Sequence, residues 1–117
     1  YVGDRSNSRV QLFDQDGEFL SVWTQFGRPS GISFDQLGNI FVADSESDNI
    51  ENPGWEMGIR IGDAESGWVN YMVLTPYADP SVVSGVCAEF VAVDAEGKMY
   101  GGEPMGRNIQ KYIRVRP

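Results

Sequence analysis

Arg28-Pro-Ser-Gly-Ile-Ser-Phe-Asp-Gln-Leu-Gly-Asn-Ile-Phe-Val-Ala-Asp44 carries two short apolar runs, 32–35 and 39–43, on either side of Gln36-Leu-Gly38. Runs this short, interrupted by a glycine turn, predict two antiparallel strands. The stretch has copies. Asp35-x-x-Gly38 returns as Asp94-x-x-Gly97, Phe41 as Tyr100 and Asp44 as Glu103, while Tyr1-Val-Gly-Asp4 stands as Phe41-Val-Ala-Asp44. Such self-similarity makes the architecture a stack of like units.

Upstream, 1–4 is the end of a strand and 5–8 a polar turn. Residues 9–14 follow as a strand with Val10 and Leu12 on one face, and Gln15-Asp-Gly17 turns the chain into a strand over 18–23. Downstream, the repeat is interrupted. Five positions take the chain from Asp4 to Arg9, but sixteen take it from Asp44 to Arg60. The insert, 45–58, is rich in Asp, Glu, Asn, Pro and Gly and reads as a long loop. Strands then fall at 58–63 and 68–74, a connecting loop with Pro76 and Pro80 at 75–84, and further strands at 90–94, 98–101 and 108–113.

The pattern is three strands, four, then three: a partial unit over 1–23, a complete one over 26–74, and a partial one over 84–117. Four-stranded antiparallel units in series predict an all-β fold, a β-propeller segment of about two and a half to three blades. One whole blade and two partial ones do not close a ring, so either further chain or other copies of this one are expected to complete it. Tyr1 already sits in a strand pattern with no leader before it, which implies a segment of something longer.

Arg28-Pro-x-Gly31-Ile-x-x-Asp35-x-x-Gly38-Asn39-Ile-Phe-Val-Ala-Asp44, and before it Asp4-Arg-Ser-Asn7-Ser-Arg9-Val10-Gln11-Leu-Phe13-Asp14-x-x-Gly17-x-Phe19-Leu20, resemble the NHL repeat. The resemblance implies a propeller, usually six-bladed, with this segment among its last blades. Asn52-Pro-Gly-Trp55 with Gly58-Ile-Arg-Ile-Gly62, followed by 88–94, is similar to bacterial secreted NHL propellers related to the peptidyl-α-hydroxyglycine amidating lyases. A secreted or periplasmic location is implied by that likeness alone. The third unit departs from the pattern, with Phe90 where a glycine stands and Gly101-Gly102-Glu103 in place of Val-Ala-Asp.

Composition narrows the function. A net charge of −8 argues against nucleic acid, whose phosphates demand clustered Lys and Arg. Only the final stretch is basic, with Arg107, Lys111, Arg114 and Arg116, and it reads as solubilising charge. No run of about 18 apolar residues is present to span a bilayer as a helix. The single Cys87 lies in the apolar run Val86-Cys-Ala and reads as a buried, inert thiol. Histidine is absent, which removes the commonest general base and the commonest zinc ligand.

Short D-x-x-G turns would lie on one face of the propeller and the variable loops 5–8, 45–58 and 103–106 on the other, with the blade openings 28–30 and 76–89. Loops on a rigid scaffold carry function, so that face is the expected working face. Asp44, Glu46 and Asp48 alternate as calcium ligands do, although Asn49 and Trp55 stand where an EF-hand loop needs Gly and Glu. Asp44 equally recurs as Asp4 and Glu103, which suggests an acid accepting backbone N–H groups in a turn. Trp55 either packs down on the blade edge or stacks on a ligand. Glu89 and Glu103 are an acid–base pair in prospect. Arg28 either takes a ligand carboxylate or pairs with a neighbouring blade's aspartate. Trp23, Phe13, Phe19, Phe34, Phe41, Trp68 and Tyr100 are assigned to the core.

Three functions fit. The first is a scaffold binding a protein or small ligand, with the long acidic loop on its working face. The second is a fragment of an amidating-lyase-like metalloenzyme; that resemblance implies histidine-held zinc, for which this sequence supplies no ligand. The third is a calcium-dependent propeller hydrolase or lactonase.

Overall fold

In the computed structural model, residues 1–75 and 87–115 are described. The connecting loop with Pro76 and Pro80, Val86 and Arg116 therefore lie outside the described residues. Among these described residues ten strands form three antiparallel sheets. The first contains β1 (Val2–Asp4), β2 (Arg9–Phe13) and β3 (Phe19–Trp23), with a 3-10 turn at Arg5–Asn7. The second contains β4 (Pro29–Phe34), β5 (Asn39–Asp44), β6 (Gly58–Asp63) and β7 (Val69–Val73). The third contains β8 (Phe90–Val93), β9 (Met99–Glu103) and β10 (Asn108–Tyr112). Within each sheet the strands pair in chain order, as in a meander.

The sheets stack face to face, with the four-stranded one in the middle. Alternation along β5 sends Ile40 and Val42 toward the first sheet, where they meet Val10, Trp23 and Phe26. Phe41 and Ala43 point the other way and meet Ala88, Val91 and Met99 of the third sheet, with Ile59. Both faces of β5 are thus buried, which explains its nearly continuous apolar run. This all-β stack of a complete four-stranded blade between two partial ones is the architecture of a β-propeller segment.

Four of the turns between strands are closed by the aspartate that opens them. Asp14 Oδ1 accepts the N–H groups of Asp16 and Glu18, Asp35 Oδ1 those of Leu37 and Asn39, and Asp94 Oδ1 those of Glu96 and Lys98. Asp63 Oδ1 accepts from Glu65 and Ser66 in the same way. Gly38, at φ +87°, occupies the left-handed region these turns require.

The aromatic core is smaller than the sequence pattern predicts. Trp23 and Phe41 are buried, but Phe19 is 56% exposed, Phe34 42% and Trp68 72%, while Phe13 and Tyr100 are half-buried. A strand position buries its side chain only where another sheet covers that face. Phe13 and Phe19 meet each other edge-on at 5.9 Å on the uncovered side of the first sheet, Trp68 precedes the outermost strand β7, and Phe34 is met by the Tyr1 ring at 4.8 Å. Phe26 and Met57, both fully buried, fill the core from connecting segments instead.

Candidate functional site

The acids at the ends of β1, β5 and β9 occupy one repeated position. Asp44 is fully buried, and every oxygen of its carboxylate is engaged. Oδ1 accepts the N–H groups of Glu46 and Ser47; Oδ2 accepts the N–H of Arg28, the Ser47 hydroxyl and, at 3.1 Å, the Arg60 guanidinium. Arg60 also donates to the Glu56 carbonyl, and the Trp55 ring lies 4.9 Å from its guanidinium carbon. Trp55 therefore packs down as a lid on this ion pair. Burial pushes the Arg60 pKa down, and the Asp44 carboxylate opposes that shift.

Asp48 serves its own loop. It accepts the N–H groups of Glu51 and Ile50, and those bonds hold its carboxyl below the ordinary aspartate value. Glu46 turns toward Arg5 and Arg28. The three carboxylates at alternate positions thus face three different sets of partners. Among the described residues no group of three His, Cys, Asp or Glu side chains is placed to hold a metal ion, and the structure does not bring Asp44, Glu46 and Asp48 together.

The loop face instead gathers a charged network from all three sheets. Arg5, in the turn after β1, reaches Glu46 at 2.8 Å and Glu89, just before β8, at 3.4 Å. Arg28, before β4, lies 3.7 Å from Glu46 and 3.9 Å from Glu51, and donates to the Arg5 carbonyl. Arg28 thus takes the glutamates of its own blade's loop rather than a neighbouring blade's aspartate. Among the residues singled out in the sequence, Arg28, Glu46 and Glu89 come together here. Arg5 and Glu51 were not anticipated: their role depends on contacts between blades and on the path of a long loop, which no periodicity reveals.

Glu103 does not join them. It is 2% exposed, faces the seam between the second and third sheets, and burial alone pushes its carboxyl pKa up. The prospective Glu89–Glu103 pair is therefore divided between surface and interior. Cys87 is buried, and burial raises its thiol pKa as expected of an inert cysteine.

A stack of antiparallel sheets whose variable loops share one face defines a propeller-type scaffold. Residues 26–49 of this scaffold match the NHL repeat family, a span covering β4, β5 and the loop that carries Glu46 and Asp48. No curated protein matches the chain.

Proposed function

We propose that this protein is a binding scaffold of NHL-repeat β-propeller type, whose ligand face is the loop face carrying Arg5, Arg28, Glu46, Glu51 and Glu89. The observation that carries this reading is the convergence of charged side chains from all three sheets on one face. The D-x-x-G turns at the other end satisfy their own N–H groups and offer few free donors. Arg5 and Glu89 are each 42% exposed at the side chain, so a partner with paired acidic and basic groups can exchange into the network. Exposed ion pairs contribute only about 0–1 kcal/mol each, so exchanging them costs little.

The uncovered sheet faces support a second part of the proposal. Val2, Leu20 and Val22 on the first sheet, and Phe90 and Ile109 on the third, are exposed apolar side chains. We read these faces as contacts with further blades or with a second copy of the chain, and a secreted or periplasmic setting goes with the same reading. Kinship with amidating lyases would bring zinc held by histidine, and these 117 residues contain no histidine to contribute.

Panning a random peptide display library against the purified protein tests the ligand face. Enriched peptides should lose binding to Glu89→Lys and keep it to Glu96→Lys, a charge reversal on the turn face. Equal binding to the Glu89 variant, or loss only with the Glu96 variant, would place the ligand face elsewhere.

A further inference from the structure

Two side chains at the seam between the second and third sheets have buried polar atoms without a hydrogen-bond partner among the described residues: both carboxylate oxygens of Glu103 and the hydroxyl of Tyr112. Glu103 is 2% exposed. The Tyr112 ring lies against Gly101, two residues before Glu103, where a Cβ would meet its Cε2 at 3.6 Å. Burial, then the Glu103 charge, then Cys87 push the Tyr112 hydroxyl up to about 12.

The placement follows from strand register. Alternation along β9 turns Met99, Gly101 and Glu103 toward the second sheet, and Tyr112, paired with Met99, lies on the same side. In the preceding blades the equivalent acids have cations: Asp4 holds Arg9 at 2.8 Å and Asp44 holds Arg60 at 3.1 Å. Arg60 lies opposite Val42, two residues before Asp44; opposite Gly101, two residues before Glu103, stands Gln110. The third blade keeps the buried acid and omits the arginine.

We propose that this seam binds a monovalent cation, held by the Glu103 carboxylate with the hydroxyl oxygen of Tyr112. A buried carboxylate without a counter-charge is strongly unfavourable, and one positive charge removes the imbalance. The neighbouring Asp44 is already matched by Arg60, so a divalent ion would leave an excess positive charge. The oxygens offered are hard ligands, suited to sodium or potassium. Ammonium carries the same charge and donates hydrogen bonds to the same atoms.

The test is thermal unfolding in sodium, potassium, ammonium or choline chloride at equal ionic strength, choline being too large for the seam. At least one small cation should raise Tm saturably above the choline value, by about 3 °C or more, and Glu103→Gln should abolish the difference. Tyr112→Phe removes one ligand oxygen and should raise the half-saturating concentration by about tenfold, which keeps the test available if Glu103→Gln does not fold. Identical Tm in all four salts would overturn the proposal, as would a rise that survives unchanged in every variant. A Tm that follows pH and ignores salt identity would also overturn it, by showing that a proton neutralises Glu103.

Discussion

Asp44 and Arg60 form a buried ion pair at 3.1 Å whose register counterparts in the third sheet are Glu103 and Gln110. Replacing Arg60 with Gln would create in the second blade the arrangement native to the third. It leaves the Asp44 carboxylate buried without its cation, a change expected to cost about 3–5 kcal/mol. The double variant Asp44→Asn, Arg60→Gln removes the stranded charge and should recover part of that loss. Urea unfolding of both variants checks the argument; a single variant as stable as the parent would mean that the N–H groups around Asp44 suffice.

The converse change is Gln110→Arg. It places a guanidinium opposite Gly101, at the register from which Arg60 reaches Asp44. Supplying Glu103 with its own cation should raise stability by about 1–2 kcal/mol, the scale of a hydrogen bond to a charged group. In a domain of this size that amounts to several degrees in Tm. The dependence of Tm on sodium, potassium or ammonium should disappear in the same variant. A lower Tm would indicate that the seam has no room for arginine.

Stability should respond to pH in two opposite limbs. Asp63, bonded by the N–H and hydroxyl of Ser66, and Asp94, bonded by the Lys98 N–H and the Tyr100 hydroxyl, hold pKa values below the ordinary 3.8. Their contribution is present above that value and lost as pH falls through the lowered ones. Glu103 has the reverse sign. Burial raises its pKa above 4.5, so its penalty is absent below about pH 4.5 and grows as pH rises through the folded-state value. Urea midpoints measured in choline chloride should therefore climb from acid pH and then decline. Glu103→Gln should flatten the decline and leave the acid limb intact; a decline of unchanged size in that variant would assign it to another group.

What the sequence reveals of this fold is what is encoded locally. The D-x-x-G turns depend on an aspartate and a glycine three residues apart, and Val10 and Leu12 declare their shared face through alternation alone. Burial of aromatics is not local. Phe19 and Phe41 occupy similar strand positions, yet only Phe41 has a sheet packed over it. Phe26 and Met57 belong to no periodic run, so pattern reading passes over them. In the candidate site, Arg28, Glu46 and Glu89 stand out as charged loop residues. Their meeting with Arg5 requires the blade stacking, and the missing partner of Glu103 emerges only once Gln110 is set opposite Gly101.

Gly31 marks a close approach of two blades. A Cβ there would lie 2.8 Å from the Phe90 Cα and 3.0 Å from the Glu89 carbonyl oxygen, both backbone atoms with little freedom to move. Gly31→Ala should therefore cost about 1–3 kcal/mol by forcing β4 and β8 apart. Gly106→Ala, which meets only the Asn108 side chain at 3.2 Å, should fall within about 0.5 kcal/mol of the parent. The register position of Gly31 is filled in the third blade by Phe90, whose ring lies over Gly102. A further blade would meet that ring where the third blade meets bare backbone.

Turn glycines and loop aspartate can be ranked by the same reasoning. Gly38 and Gly97 have φ of +87° and +82°, and a Cβ at either would meet no atom within 4 Å. The cost of Gly38→Val or Gly97→Val is therefore conformational: a β-branched residue in the left-handed region is disfavoured by about 1–2 kcal/mol or more. Asp48→Ala removes two hydrogen bonds to the Ile50 and Glu51 N–H groups in an exposed part of the loop, where water can replace the carboxylate. Both glycine variants should show lower urea midpoints than the aspartate variant. If Asp48→Ala proves the more damaging, the 45–57 loop contributes to stability as a packed unit, and the Arg28–Glu51 contact it positions must be worth more than its 3.9 Å separation suggests.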